Sequence, residues 1–213
     1  MTTLHLIPAD IAADYEVHEW RNAAGVLQTA HPKEWQDILD ALREFRFLSS
    51  ELLVGGGGKS KIAQRVDDFL TNRGWEERKF ATRIRVDADE WDSPTHKVDC
   101  FKGKVGLEIE WNNKDPFFDR DLNNFRLLFD LRVIEVGIIV TRSTHLQEIF
   151  KSLGKKVGNK YGASTTHMDK LLPRIEGGGG GGCPILVFGI TRSRYVADKA
   201  PISDNGQGNE DSD

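Results

Sequence analysis

Residues 98–122, VDCFKGKVGLEIEWNNKDPFFDRDL, carry the side chains whose types and spacing could do chemistry. Asp99 is followed after eight residues by Glu108, and Glu108 after one more by Glu110. Two short segments, 97–101 and 105–111, flank a Lys-Gly-Lys turn and read as a hairpin. On the second strand Val105, Leu107, Ile109 and Trp111 point one way and Glu108 and Glu110 the other, because successive side chains alternate. That places the two carboxylates about 7 Å apart on one face, with Asp99 facing the same region from the partner strand. Three such groups repel one another unless protons or a cation compensate them. A hard divalent ion such as Mg2+, which takes one or two carboxylates plus waters and a substrate phosphate, answers that need. The plainer alternative is a solvated hairpin face on which Lys102 and Lys104 pair the acids.

Groups able to read or grip a polyanion lie nearby and further on. Asn112 and Asn113, with Lys114 after them, follow the acidic strand. Asn pairs bidentately with adenine, as Arg does with guanine, although adjacent Asn residues also make ordinary turns. Ser164, Thr165, Thr166 and His167, with Lys170 behind them, stand where a short helix begins and suit phosphates, base edges or simple capping. Arg192 and Arg194 follow the last apolar run as candidate phosphate contacts. LLVGGGGKS at 52–60 ends like a nucleotide-binding loop, but Leu53 stands where the first glycine of that loop belongs. It reads instead as a glycine hinge and helix N-cap, with Lys59 and Ser60 near a phosphate of some larger ligand.

The elements that must position these groups follow from periodicity. Helices are predicted over 32–47, 60–72, 117–132 and 144–153, each from apolar residues at helical spacing. A short helix starts at Ser164 or Thr165 and runs to 172, where Pro173 interrupts it. Strands are predicted over 79–86, in the hairpin, and at 133–140 and 185–190, the last two apolar enough for the centre of a sheet. Six glycines at 177–182 read as a floppy connection. From 197 onward the chain is polar, acidic and without periodicity, which predicts a disordered tail. The order of elements suggests a mixed α/β sheet with helices on both faces.

At 213 residues the chain is long enough for one well-buried domain, 1–196, ahead of that tail. Its two cysteines, Cys100 and Cys183, form no metal-binding or disulfide pattern and read as core residues. The absence of a long apolar run or a signal-like start predicts a cytoplasmic protein with no membrane partner. The net charge is −4, yet residues 141–199 hold ten Lys and Arg against four acids. Charge distribution, rather than the sum, leaves nucleic acid open as a partner.

Asp99, Glu108 and Glu110, then Trp111-Asn112-Asn113-Lys114-Asp115 and the Phe-Phe-Asp-Arg-Asp-Leu run, resemble the active-site segment of BglII/BstYI-type restriction endonucleases, within the PD-(D/E)xK nuclease superfamily. The order of elements from about residue 33 to Ile190 is similar too. Two positions depart from the superfamily pattern: Glu110 stands where a Lys is usual, a position that holds Gln in BglII-like enzymes and Glu in BamHI-like ones, and Val98 rather than Pro precedes Asp99.

The resemblance implies a restriction-endonuclease-like mixed β-sheet core flanked by helices on both faces. It implies a type II restriction endonuclease: Mg2+-dependent hydrolysis of both strands of double-stranded DNA at a short palindrome, with a GATC core as the expected site. The enzyme would be a homodimer, joined through the outer sides of the 117–132 and 144–153 helices, and paired in function with a cognate DNA methyltransferase. Asp99, Glu108 and the carbonyl of Ile109 would hold the metal, and Glu110 would orient the attacking water. In the resembling enzymes the loop corresponding to 112–114 contacts bases. A structure-specific or repair nuclease with the same metal site, and a catalytically silent DNA-binding module, are the competing readings.

Overall fold

The computed structural model describes residues 2–53 and 60–199. Lys59, the glycine hinge before it and the predicted tail beyond 199 lie outside the described residues. After a 3-10 turn at Leu4–Leu6 come α1 (Ala9–Asp14), β1 (Tyr15–Trp20), α2 (Ala23–Ala30), α3 (Pro32–Glu44), β2 (Phe47–Leu48) and α4 (Ser49–Leu53). Then follow α5 (Lys61–Thr71), β3 (Glu76–Val86), β4 (Asp89–Lys102), β5 (Val105–Glu110), α6 (Phe117–Asp130) and β6 (Val136–Arg142). The chain continues with α7 (Leu146–Ser152), α8 (Lys155–Lys160), α9 (Met168–Glu176), β7 (Ile185–Ile190), a 3-10 turn at Arg192–Arg194 and β8 (Tyr195–Val196).

Six strands form one mixed sheet in the order β1-β7-β6-β5-β4-β3, and β2 pairs with β8 in a small parallel ribbon. The centre, β5-β6-β7, is parallel, while β1, β4 and β3 run antiparallel to their neighbours. Every residue of β5, β6 and β7 is buried, as a sheet covered on both faces requires. On one face Val105, Leu107 and Ile109 of β5 join a core with α3, α5, α7 and α8. On the other face Phe118, Leu122, Phe125 and Leu128 of α6 and Met168, Leu171 and Ile175 of α9 close a second core. Gly137 lets α6 lie directly on the sheet, since a Cβ there would come 2.4 Å from the Phe125 ring. This is the expected α/β architecture.

Several local expectations are corrected. The predicted strand 97–101 is the end of a fourteen-residue strand that pairs with β3 out to Val86↔Asp89. Its outer part has no buried face, so alternation could not reveal it; Ile84, Val86 and Trp91 remain about half exposed. The N-terminal segment, unread from the sequence, supplies α1, the edge strand β1 and α2. α9 begins at Met168, not at Ser164, and carries Pro173 inside it.

The six glycines form a packed turn rather than a floppy link. Gly179 donates to Arg174 O and Cys183 to Gly180 O. A Cβ on Gly180 would meet Ile185 at 2.3 Å. The first residues of the predicted tail are also tied down: Asp198 accepts hydrogen bonds from Ser50 N (2.8 Å) and Ser50 Oγ (2.6 Å), closing the start of α4.

Candidate active site

The three parallel strands end together. Register sets Glu110 of β5 beside Thr141 of β6, and Arg142 beside Ile190 of β7. Thr141 Oγ1 donates to the carbonyl of Glu110 at 2.8 Å, fixing the last residue of β5. The candidate chemistry sits at this end of the sheet, under the start of α6.

The backbone ladder of the β4–β5 hairpin stops at Cys100↔Leu107. Beyond it the carboxylates take over the pairing. Asp99 Oδ2 accepts the Ile109 N–H at 3.0 Å, and Glu108 Oε2 lies 3.4 Å from the Asp99 N–H. The two acids are thereby locked to each other's strands, with Ile109 turned into the opposite core. Lys102 pairs with Asp37 and Lys104 with Glu135, so neither neutralises this cluster. Glu108 and Glu110 are each only 1% exposed, which removes the solvated-hairpin alternative.

Glu110 is held by three partners. Asn113 Nδ2 donates to its Oε2 at 2.8 Å, and Arg120 Nη2 lies 3.4 Å from Oε1. Asp121 stands against it and grips Arg120 Nε at 2.8 Å, with the guanidinium resting over the Phe117 ring. Sequence reasoning missed Asp121 and Arg120. A signal existed: Asp121 follows Phe118 by three and precedes Phe125 by four, which puts a carboxylate on the buried stripe of α6.

Burial dominates the electrostatics. It drives Glu110 up to about 9, with the neighbouring Asp121 carboxylate adding to the effect. Burial also holds Glu108 well above the ordinary carboxylate range, helped by the charges of Asp121, Asp99 and Glu110. Asp121 is raised by burial against the opposing pull of Arg120. Among the described residues Glu108 Oε1 and Asp121 Oδ2 are buried and find no hydrogen-bond partner. Unsatisfied carboxylate oxygens of this kind are costly and call for protons or a cation. As it stands, no group of three or more His, Cys, Asp and Glu side chains among the described residues is arranged to hold an ion. The donors are nonetheless all oxygens, the chemistry that a hard divalent ion takes.

The two groups of candidate DNA contacts, far apart in sequence, are joined to each other by backbone hydrogen bonds. Lys114 bridges Thr165, Thr166 N donates to Asn113 O at 2.9 Å, and Asp115 N donates to Ser164 O at 3.2 Å. Asn112 is half-buried, its Oδ1 without a partner among the described residues, while Asn113, Lys114 and Ser164 are exposed. Thr165, Thr166 and His167 are buried, and His167 Nδ1 lies 3.1 Å from Thr144 Oγ1. Lys170 is 3.8 Å from Asp115.

Arg192 is exposed just past β7, its N–H 3.4 Å from His145 Nε2. Arg194 requires correction as a phosphate contact. It is 3% exposed, ion-paired with Asp14 at 2.8 Å and seated over the Tyr15 ring, so it is committed to the core. Ser60 accepts the Ala63 N–H at 3.1 Å and is the N-cap of α5.

Residues 15–190 match the family model described as restriction endonuclease BglII/BglIII. No curated protein matches the chain.

Proposed function

Because the chain belongs to the restriction endonuclease BglII/BglIII family, and is therefore a nuclease acting on DNA, we propose that it is a type II enzyme. In this reading it hydrolyses both strands of a short palindrome, with a GATC core, in a Mg2+-dependent reaction. The observation that carries the metal dependence is the pair of buried, partnerless carboxylate oxygens on Glu108 and Asp121.

Asp99, Glu108 and the carbonyl of Ile109 would hold the ion. When bound, Mg2+ supplies positive charge that polarises a scissile phosphate and acidifies a water. The chain's own part is positioning. Glu110, at the end of the same strand, accepts a hydrogen bond from the attacking water and aims it in line with the phosphate. Asn113, Arg120 and Asp121 keep that carboxylate in one place. The surface made by 112–114 and Ser164, backed by the buried residues 165–167, reads bases, and Arg192 and Lys170 add phosphate contacts.

Cutting a palindrome on both strands is met most simply by a two-fold homodimer that presents one copy of this surface to each half-site. A cognate DNA methyltransferase is the expected functional companion. The test is digestion of long duplex DNA with Mg2+ and with chelator. Discrete fragments that need the metal support the proposal. A smear of random products favours a repair-type nuclease, and intact DNA under all divalent ions sinks the enzyme reading.

A further inference from the structure

Arg142, the last residue of β6, is 0% exposed. Among the described residues no carboxylate forms an ion pair with it, and its Nε has no partner. Its guanidinium instead gathers neutral acceptors from three elements. Nη2 donates to Thr165 Oγ1 at 2.5 Å and to the Tyr161 carbonyl, at the end of α8, at 3.2 Å. Nη1 lies 3.4 Å from Gln147 Oε1 of α7, and the group sits 5.3 Å from the centre of the Phe150 ring.

Burying a cation without a counter-charge is expensive, and apolar replacements of buried charges are often neutral or stabilising. Stability alone does not account for this residue. What it does is join the end of β6 directly to the 161–167 segment through two hydrogen bonds from one guanidinium nitrogen. That segment is in turn zipped to 112–115 by the Lys114↔Thr165 bridge and the Thr166 N to Asn113 O bond.

We propose that Arg142 is a positioning residue for sequence discrimination: one buried guanidinium sets both base-facing segments relative to β5 and β6. This rests on the reading of 112–114 and Ser164 as the DNA-facing surface, with 165–167 packed behind it. A planar, five-donor fork suits the task, since it reaches a carbonyl, a hydroxyl and an amide at once; a lysine ammonium, a point charge, does not.

The test compares wild type with Arg142→Met and Arg142→Lys. Amide hydrogen exchange in the free protein is read first. Exchange at Thr166 should rise at least about tenfold in both variants while Ile139 of β6 stays protected, an effect that uniform destabilisation would not produce. On DNA, the ratio of kcat/KM for the cognate duplex to that for single-base-pair variants should fall at least about tenfold, with Mg2+-dependent cleavage retained. A folded Arg142→Met that keeps both the protection and the ratio overturns the proposal.

Should neither Arg142 variant fold, Thr165→Val removes the acceptor while leaving the cation in place. Wild-type discrimination in that variant would equally overturn the role. If wild type shows no sequence preference, the DNA-facing reading fails, and the exchange pattern still decides whether Arg142 holds the segment.

Discussion

Asn113 donates its side-chain amide to Glu110 Oε2 at 2.8 Å, across the junction between the acidic strand and the base-facing loop. The amide carries two hydrogens, so one can hold Glu110 while the other, together with Oδ1, spans an adenine edge. The proposed reader and the proposed water-orienting group therefore share a bond. Asn113→Ala should lower cleavage of the cognate site and reduce discrimination at a symmetric pair of positions by about 1–3 kcal/mol. Relative rates on duplexes varied one base pair at a time measure this. Loss that is equal on cognate and non-cognate DNA at matched salt would leave Asn113 with the positioning role only.

Glu108→Gln and Asp99→Asn test the metal site. Each removes charge from a crowded, buried cluster, so the folded state should be no less stable than wild type. Cleavage should nevertheless fall by about two orders of magnitude or more, with heats of Mg2+ binding lost in calorimetry. Full activity in either variant would remove the proposed site.

Glu110→Gln should be tolerated better than Glu110→Ala. Gln keeps an acceptor for water and, with its amide turned, a donor toward the neighbouring Asp121 carboxylate. Single-turnover rates with Mg2+ give the comparison. Greater activity in the Ala variant would end the water-orienting assignment.

The raised carboxyls make stability depend on pH in a stated direction. Glu110 titrates near 9 in the folded protein against an ordinary value of 4.5. Between those limits the folded state binds more protons than the unfolded one, so stability falls as pH rises through the window. Metal-free protein should therefore melt measurably lower at pH 9 than at pH 6. Mg2+ should recover the loss. A melting temperature flat across that range, without metal, would contradict the buried cluster.

The glycine turn gives a check on packing. In a loose linker alanine would be harmless at 180, but here its Cβ would meet Ile185. Gly180→Ala should cost about 1–3 kcal/mol in denaturant unfolding, the range for overpacking a close contact.

The acidic strand could be read from one line of sequence because its signal is local: alternation alone sends Glu108 and Glu110 to one face and Ile109 to the other. The helical stripes of α3, α5 and α6 were legible for the same reason, each burying residues set by a period of about 3.6. Periodicity could not say which polar residues on those faces become enclosed. Asp121 is a carboxylate on an apolar stripe, and only the docking of α6 over Gly137 carries it down to Glu110. The outer arm of β4 left no pattern of its own, whereas its partner β3 was legible over 79–86 by alternation although most of its side chains stay exposed.

Arg194 and Ser60 looked available for phosphates in sequence; one is closed in by Asp14 and Tyr15, the other by the first turn of its own helix. The joining of 112–115 to 164–167, and the buried Arg142 beneath it, depend on contacts between residues some fifty positions apart. Such pairings are decided by how the parallel strands align their ends, which no short-range pattern encodes.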